Sequence, residues 1–334
     1  MTETQTNVGI HEFIFGALKS ERDELLAFWE VLGFTVADEA HISASTASEL
    51  YGHEQGLTSL RLRHKGCDTF ETGLVRLQLW DVLRNEGMGN TLPLTVGSRW
   101  MGLYCNDILQ AVDSFDNPKA KQDWDLWMSP LVHAALQHPP PDHNYFERFI
   151  GLREKLIFGK RFRLAMIQRG GFDRPGFGTI DETLPFKNSE GSHANVVQPD
   201  NSFSSDFYKK AFGFETAPFG EAHDSGEEPP TIAALELREG ETFHIERTRA
   251  VNCPSGLLQI YSSYMAGPDH RDLSRPGSGN LCAYSVKVRD LDLLKTVIEG
   301  TDGASVLADA DDEFGERSLV FEAPDGYVWI AISE

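Results

Sequence analysis

The sequence predicts an α+β fold built from four copies of one strand–helix–three-strand (βαβββ) unit, and two repeats carry that prediction. The first is a helix end: residues 27–34 read AFWEVLGF and residues 207–214 read FYKKAFGF. The second is a strand: Gly73 begins GLVRLQLWD and Gly256 begins GLLQIYSSY. Both runs alternate apolar and polar residues at the period of two expected of a half-buried strand. From each of these glycines it is 34 residues to an aspartate that closes the next strand, Asp107 in MGLYCNDI and Asp290 in YSVKVRDL. The two halves of the chain therefore share one plan, and a repeat constrains the architecture more than any single element does.

Each element has a local reason. In the first unit Leu25, Phe28 and Leu32 fall on one helical face. Gly33 and Gly213 suit the left-handed residue that ends a helix, so Phe34 and Phe214 are expected to open strands. The last unit reads as the strand LCAYSVKV, the helix DLDLLKTVIEG, a variable stretch and RSLVFEAPDGYVWIAIS. Within it Pro324, Asp325 and Gly326 make a hairpin turn between two apolar strands. KLIFGKRFRLAMIQR is the matching hairpin of the second unit.

That second unit carries an insert at about residues 116–152, expected to be helical until Pro139, Pro140 and Pro141 stop it. Its histidines, His133, His138 and His143, do not share a helical face and are read as surface residues; a lid over the second unit is one role for the insert. Residues 170–191, rich in Gly, Pro and polar side chains, are read as a linker between residues 1–169 and residues 192–334.

Composition sets outer bounds. At 334 residues and 40% hydrophobic the chain can bury a sizeable core. A net charge of −21 repels phosphate backbones and anionic membranes, so neither nucleic acid nor membrane is an expected partner. No stretch of roughly 18 apolar residues exists to span a bilayer, and MTETQTNVGIHEF has none of the features of a secretory signal. Cys67, Cys105, Cys253 and Cys282 lack both CxxC spacing and disulfide density. The expectation is free, buried thiols in a reducing cytoplasm.

Strand–helix–meander units, FGF helix ends, the V-x-D-L-D helix entry and the F-x-x-PDG turn together resemble the vicinal oxygen chelate superfamily. That superfamily includes glyoxalase I, fosfomycin- and bleomycin-resistance proteins and extradiol ring-cleaving dioxygenases. The resemblance implies that units pair into half-open β-barrels around a small molecule. With neighbours along the chain pairing, residues 1–169 and 192–334 each supply one barrel, and a monomer or a homodimer both suit the arrangement. It also implies a divalent metal held by His and Glu from the first and last strands of each unit.

Carried across residue by residue, the resemblance places His193, seven residues before Asp200, at the first strand of the third unit, and Tyr261 at its last strand. The fourth unit offers Ala283 and Ile330. The first unit offers His11 or a neighbour together with Gln78, and the second offers Trp100 and Ala165. Neither half keeps the usual ligand set, so the expectation is a site that works without a metal. A second arrangement stays open: His244 and Glu246, two residues apart on a strand and so on one face, would join His193 to hold Fe, Mn, Zn or Ni.

Without a metal, His193 and Tyr261 on a shared face form a workable acid–base pair. Histidine titrates near neutrality, and a tyrosine hydroxyl donates to a developing oxyanion. That combination suits proton transfer beside a carbonyl, the chemistry of a lyase or isomerase. Trp80, Trp100, Tyr284 and Trp329, with Gln78, are the candidates to line a cleft for a flat, apolar or aromatic ligand. Three functions follow: such an enzyme, with a metal-dependent extradiol-type dioxygenase as its variant; a ligand-sequestering binding protein; and a scaffold of modules that have lost their ligands.

Overall fold

A computed structural model describes residues 9–67, 71–135, 149–171, 178–199, 205–217, 223–225, 229–251, 253, 255–263 and 268–334. The first unit comprises β1 (Ile10–Leu18), α1 (Arg22–Val31), β2 (Phe34–Ile42), α2 (Ala44–Tyr51), β3 (Leu57–His64) and β4 (Leu74–Trp80). The second comprises β5 (Arg99–Cys105), α3 (Ile108–Phe115), α4 (Pro118–Trp124), β6 (Trp127–Met128), β7 (Val132–Ala135), β8 (Gly151–Phe158) and β9 (Arg163–Gly170). The third comprises β10 (Asn188–Gln198), α5 (Asp206–Phe212), β11 (Glu215–Thr216), β12 (His223–Ser225), α6 (Pro229–Leu235), β13 (Phe243–Arg249) and β14 (Leu257–Ser263). The fourth comprises β15 (Asn280–Val288), α7 (Leu291–Glu299), β16 (Ser305–Asp311), β17 (Arg317–Glu322) and β18 (Val328–Ser333).

The repeated signals do the local work expected of them. Gly33 and Gly213 close α1 and α5 with φ of +83° and +69°. Asp107 and Asp290 cap α3 and α7, their carboxylates accepting the Gln110 and Leu293 amides at 3.3 and 2.9 Å, which satisfies N–H groups the helix leaves open. Gly326 turns β17 into β18 at φ +80°.

Four units make two sheets. One runs β16-β17-β18-β15-β1-β4-β3-β2 and the other β11-β13-β14-β10-β5-β9-β8-β6. Both are open paths of paired units, the expected half-barrels. The pairing of units is a correction. The first unit joins the fourth through antiparallel β1 and β15, and the second joins the third through antiparallel β5 and β10. Neighbours along the chain therefore do not share a sheet. Four units of one plan carry matching first strands, and nothing in the repeat says which two meet.

Side chains alternate across each strand. One face of both sheets packs, with the helices, into a continuous core that includes Phe13, Leu77, Met101, Val196, Tyr284 and Trp329. The opposite, inner faces hold separate clusters: Ile14, Trp80, Ala283 and Ile330 in the first sheet, and Trp100, Phe158, Val197 and Tyr261 in the second.

Two further boundaries differ from expectation. Among its described residues the insert is helical only over Pro118–Trp124, because Asp125 turns left-handed at φ +50° and β7 then pairs with β8. His133 lies on β7 against the Phe149 ring, while His138, His143 and the three prolines lie outside the described residues. The linker is shorter than expected, because β10 already begins at Asn188. Among the described residues no helix is long and apolar enough to cross a membrane.

Candidate functional site

The inner face of the second sheet gathers the titratable groups that sequence reasoning located only in part. His193 stands on β10 between Leu257 of β14 and Gly102 of β5. Its imidazole occupies the space a side chain at Gly102 would need. A β-carbon built there stands 1.7 Å from His193 Cε1. On the same face lie Gln259 and Tyr261 of β14, Arg247 of β13, Tyr104 of β5, Arg169 of β9 and Glu154 of β8, by strand alternation and register.

A hydrogen-bond chain fixes the state of the ring. The Ser192 hydroxyl donates to the Gly102 carbonyl at 3.0 Å and contacts His193 Nδ1 at 2.9 Å. A hydroxyl has one hydrogen, and it is committed to the carbonyl, so Nδ1–H donates to Ser192 Oγ. Nε2 is then the nitrogen with the lone pair. Burial lowers the histidine's pKa from 6.5 to about 3, helped by the positive charges of Arg169 and Arg247. The imidazole is neutral at physiological pH.

The surrounding charges are unequal. Burial lifts the Glu154 carboxyl above its ordinary value, and Arg169 and Arg247 pull it back. Arg247 donates from Nε to Gln259 Oε1 at 3.0 Å. Arg169 lies 5.6 Å from the Tyr104 ring centroid. Two guanidiniums against one carboxylate leave this group positive in a chain of net charge −21. Burial holds the Tyr261 hydroxyl protonated, with Glu154 adding to the effect. Its ring packs 5.1 Å from Trp100 and 5.5 Å from Phe243.

The structure redistributes the expected site residues. His193, Tyr261 and Trp100 do share the inner face of the second sheet, but Tyr261 is level with Val197 rather than with His193. Four residues of strand, about 13 Å of rise, separate the two positions along their strands. They therefore stand apart along one sheet face and do not form a directly bonded pair. The residue of β14 two positions from the His193 level, on the same face, is Gln259.

Gln78 and Trp80 belong to the first sheet. Trp80 packs there in the inner cluster against Tyr51 and His53. Tyr284 and Trp329 face the common core, a correction that follows from alternation. Ala283 and Ile330 take the inner face, so their immediate neighbours cannot. The Tyr284 hydroxyl donates to Asn195 O at 2.7 Å, and Trp329 Nε1 donates to the Tyr208 hydroxyl at 3.2 Å. His244 and Glu246 are also on the wrong side for a set with His193. Phe243 and Ile245 take the inner face of β13, and Glu246 instead accepts the Ser205 amide at 2.9 Å.

The first sheet has a different filling. On its first strand Glu12, not His11, meets the last strand. The Glu12 carboxylate takes Arg61 Nε at 2.7 Å and Arg76 Nη2 at 2.5 Å. His11 is held by the Glu71 carbonyl at 2.7 Å, and burial lowers its pKa to about 4. Arg76 also meets Asp312 at 3.1 Å and Glu313 at 2.8 Å. This cluster was illegible in sequence because Asp312 and Glu313 join Glu12, Arg61 and Arg76 from the opposite end of the chain.

Neither inner face fits the divalent metal that the resemblance implies. In the first sheet, guanidiniums take both oxygens of Glu12 and one oxygen each of Asp312 and Glu313, and Ser59, Gln78 and backbone amides take the others, so the carboxylate oxygens a cation would need are already used. In the second, the neighbours of His193 at its own level are Leu257 and Gly102, which bring no donor side chain. Among the described residues no cluster of three His, Cys, Asp or Glu side chains is placed to hold an ion.

Two sheets of paired βαβββ units define the vicinal oxygen chelate, or glyoxalase-like, fold, and solved structures share it over nearly the whole chain. Glyoxalase I from Zea mays superposes with a TM-score of 0.56 at 13% identity, covering 97% of this chain and 92% of the other. A putative dioxygenase from Bacillus subtilis superposes with a TM-score of 0.54 at 14% identity, covering 98% and 86%. The sequence matches no protein-family model, and no curated protein is similar to it.

Proposed function

We propose that the chain is a glyoxalase-like enzyme, a lyase or isomerase, that moves a proton on a small oxygenated metabolite held in the second sheet. His193 Nε2 is the base. Tyr261, further along the same sheet face, is a neutral hydrogen-bond donor to a substrate oxygen. Arg169 and Arg247 take an anionic group of the substrate. The observation that carries this reading is the Gly102–Ser192–His193 hydrogen-bond chain, which commits Nδ1 as a donor and leaves Nε2 as an acceptor.

The charges link binding to chemistry. A base with a pKa of about 3 is too weak to take a carbon-bound proton efficiently near neutrality. A bound anion offsets the two guanidiniums that help hold it down, while burial, the larger cause, remains, so substrate moves the base only part of the way back toward its ordinary pKa. Trp100 beside Tyr261 gives an unsaturated or aromatic body a surface to pack on. Among the described residues no ligand set for an extradiol-type iron site is assembled.

The second reading is a binding protein without turnover, favoured by how far the base is suppressed in the free protein. Both readings are tested by proton NMR in D2O with a panel of 2-oxo and 2-hydroxy carboxylates. Protein-dependent exchange at the carbon beside the carbonyl, lost in His193→Gln, supports the enzyme. Saturable binding without exchange supports the binding protein. Neither binding nor exchange across the panel sinks the anionic-substrate reading.

A further inference from the structure

The inner face of the first sheet carries a receptor whose occupant is part of the chain. Four donors converge on the Glu313 carboxylate. The Tyr51 hydroxyl reaches Oε2 at 2.8 Å and Arg76 Nη1 the same oxygen at 2.8 Å. The Ser59 hydroxyl reaches Oε1 at 2.9 Å and Gln78 Nε2 reaches it at 2.8 Å. All four donors belong to the first unit, on α2, β3 and β4, whereas Glu313 sits in the turn between β16 and β17 of the fourth.

That turn is built to deliver the side chain. The Asp312 carboxylate accepts the Phe314 and Glu316 amides at 2.8 and 3.1 Å, and the Phe314 ring lies 4.2 Å beneath the Arg61 guanidinium. We propose that the first unit is a carboxylate-binding site which the chain fills with its own Glu313, and that a free monocarboxylate takes the same seat when this side chain is shortened.

Three observations support a true receptor rather than an ordinary ion pair. Both oxygens are satisfied, each by two donors, and three of the four donors are uncharged. Arg76 keeps Glu12 and Asp312 as partners with or without Glu313. Finally, a cavity of about 560 Å³ lined by Leu50, Tyr51, Val320 and Val328 shares Tyr51 with the receptor. Shortening Glu313 leaves a hydroxyl pair, an amide and a guanidinium facing an anion-shaped space, and groups buried without partners favour whatever restores them.

The experiment is thermal unfolding of full-length wild type, Glu313→Ala and Glu313→Gln, titrated with sodium formate, sodium acetate and sodium chloride at fixed ionic strength. Glu313→Ala is expected to melt lower than wild type and to recover with formate in a saturable, millimolar dependence. Acetate should act more weakly because of its methyl group, and chloride should have no effect. Glu313→Gln fills the space and should not respond to formate. If Glu313→Ala does not fold by itself, refolding yield against formate reads the same titration. Equal response to formate and chloride, or no response of Glu313→Ala in either readout, overturns the proposal.

Discussion

The His193 imidazole lies across Gly102 on the neighbouring strand, so close that a β-carbon at Gly102 would stand 1.7 Å from Cε1 and 2.1 Å from each ring nitrogen. The glycine is required by its neighbour, since its own backbone is ordinary extended strand. Gly102→Ala should therefore push the ring off its seat and break the Nδ1–Ser192 contact. Overpacking of this kind typically costs about 1–3 kcal/mol. The expected outcome is a modest fall in the urea midpoint with loss of more than about tenfold in ligand affinity or exchange rate, a factor worth about 1.4 kcal/mol. A variant that loses stability but binds and turns over as wild type removes His193 from the site.

Arg247 offers an independent handle on the same ring. Its charge is one of the causes that hold the His193 pKa at about 3, after burial and alongside Arg169. Arg247→Met keeps most of the side chain and removes the charge. The His193 pKa should rise toward its ordinary value, though not reach it, because burial remains. Tracking the Cε1 proton by NMR from pH 2.5 to 7 checks the direction. Affinity for an anionic ligand should fall in parallel, while an uncharged analogue should be unaffected. An unchanged titration means that the guanidinium is not where it can act on the ring.

Much of this architecture was readable in the sequence. The paired Gly-Phe helix ends, the two aspartate caps and the PDG turn each report a local backbone need that only a few residue types meet. The place of His193 on the first strand of the third unit was legible through the family resemblance, which sets a residue seven positions before Asp200 on that strand. What stayed hidden is nonlocal. The pairing of the first unit with the fourth leaves no trace in a repeat common to all units. Arg169, Arg247 and Glu154 sit on separate strands and meet only across a curved sheet. Tyr284 and Trp329 were misplaced because they adjoin Ala283 and Ile330, which already held the inward positions, and neighbours on a strand point to opposite faces.

Stability should respond to pH in a way set by buried histidines. Burial lowers His11 and His64 to about 4 and His193 to about 3, all from 6.5. Between pH 6.5 and 4 the unfolded chain binds protons at these positions and the folded chain does not. Stability is therefore fully present above pH 6.5 and falls as the pH drops, by roughly 1.4 kcal/mol per pH unit for each histidine in that window. Urea unfolding at pH 7, 6 and 5 measures the slope, and His64→Gln should reduce it by about one histidine's share. A His64→Gln variant with the same slope as wild type contradicts the burial of that ring.

Glu190 works against that slope. Burial raises its carboxyl from 4.5 to about 7, although it accepts the Thr179 amide at 2.9 Å. A raised carboxyl favours the folded state while protonated, so its contribution is complete below pH 4.5 and disappears as the pH climbs through about 7. Glu190→Gln removes the ionisation and keeps an acceptor oxygen for Thr179. The variant should be more stable than wild type at pH 8, by an amount on the order of 1–3 kcal/mol, and should match it more closely at pH 4. Equal stability differences at both pH values contradict an ionising Glu190.

The donor chemistry of both sheets makes a prediction about metals. In the first, Glu12 is committed to Arg61 and Arg76, and in the second His193 has Gly102 and Leu257 beside it. A divalent ion needs about three protein donors, and binding by fewer is weak enough for a chelator to strip. Protein purified without chelator and then dialysed against EDTA should keep its thermal midpoint, its ligand affinity and any exchange activity, before and after Fe, Mn, Zn or Ni is added back. His244→Ala should behave as wild type throughout, because its side chain is on the opposite face of β13 from Phe243, Ile245 and the His193 side of the sheet. Elemental analysis decides the matter from the other side. A stoichiometric ion that is lost together with function in His193→Ala would mean that donors outside the described residues complete a metal centre around this histidine, and it would replace proton transfer by His193 with metal-assisted chemistry.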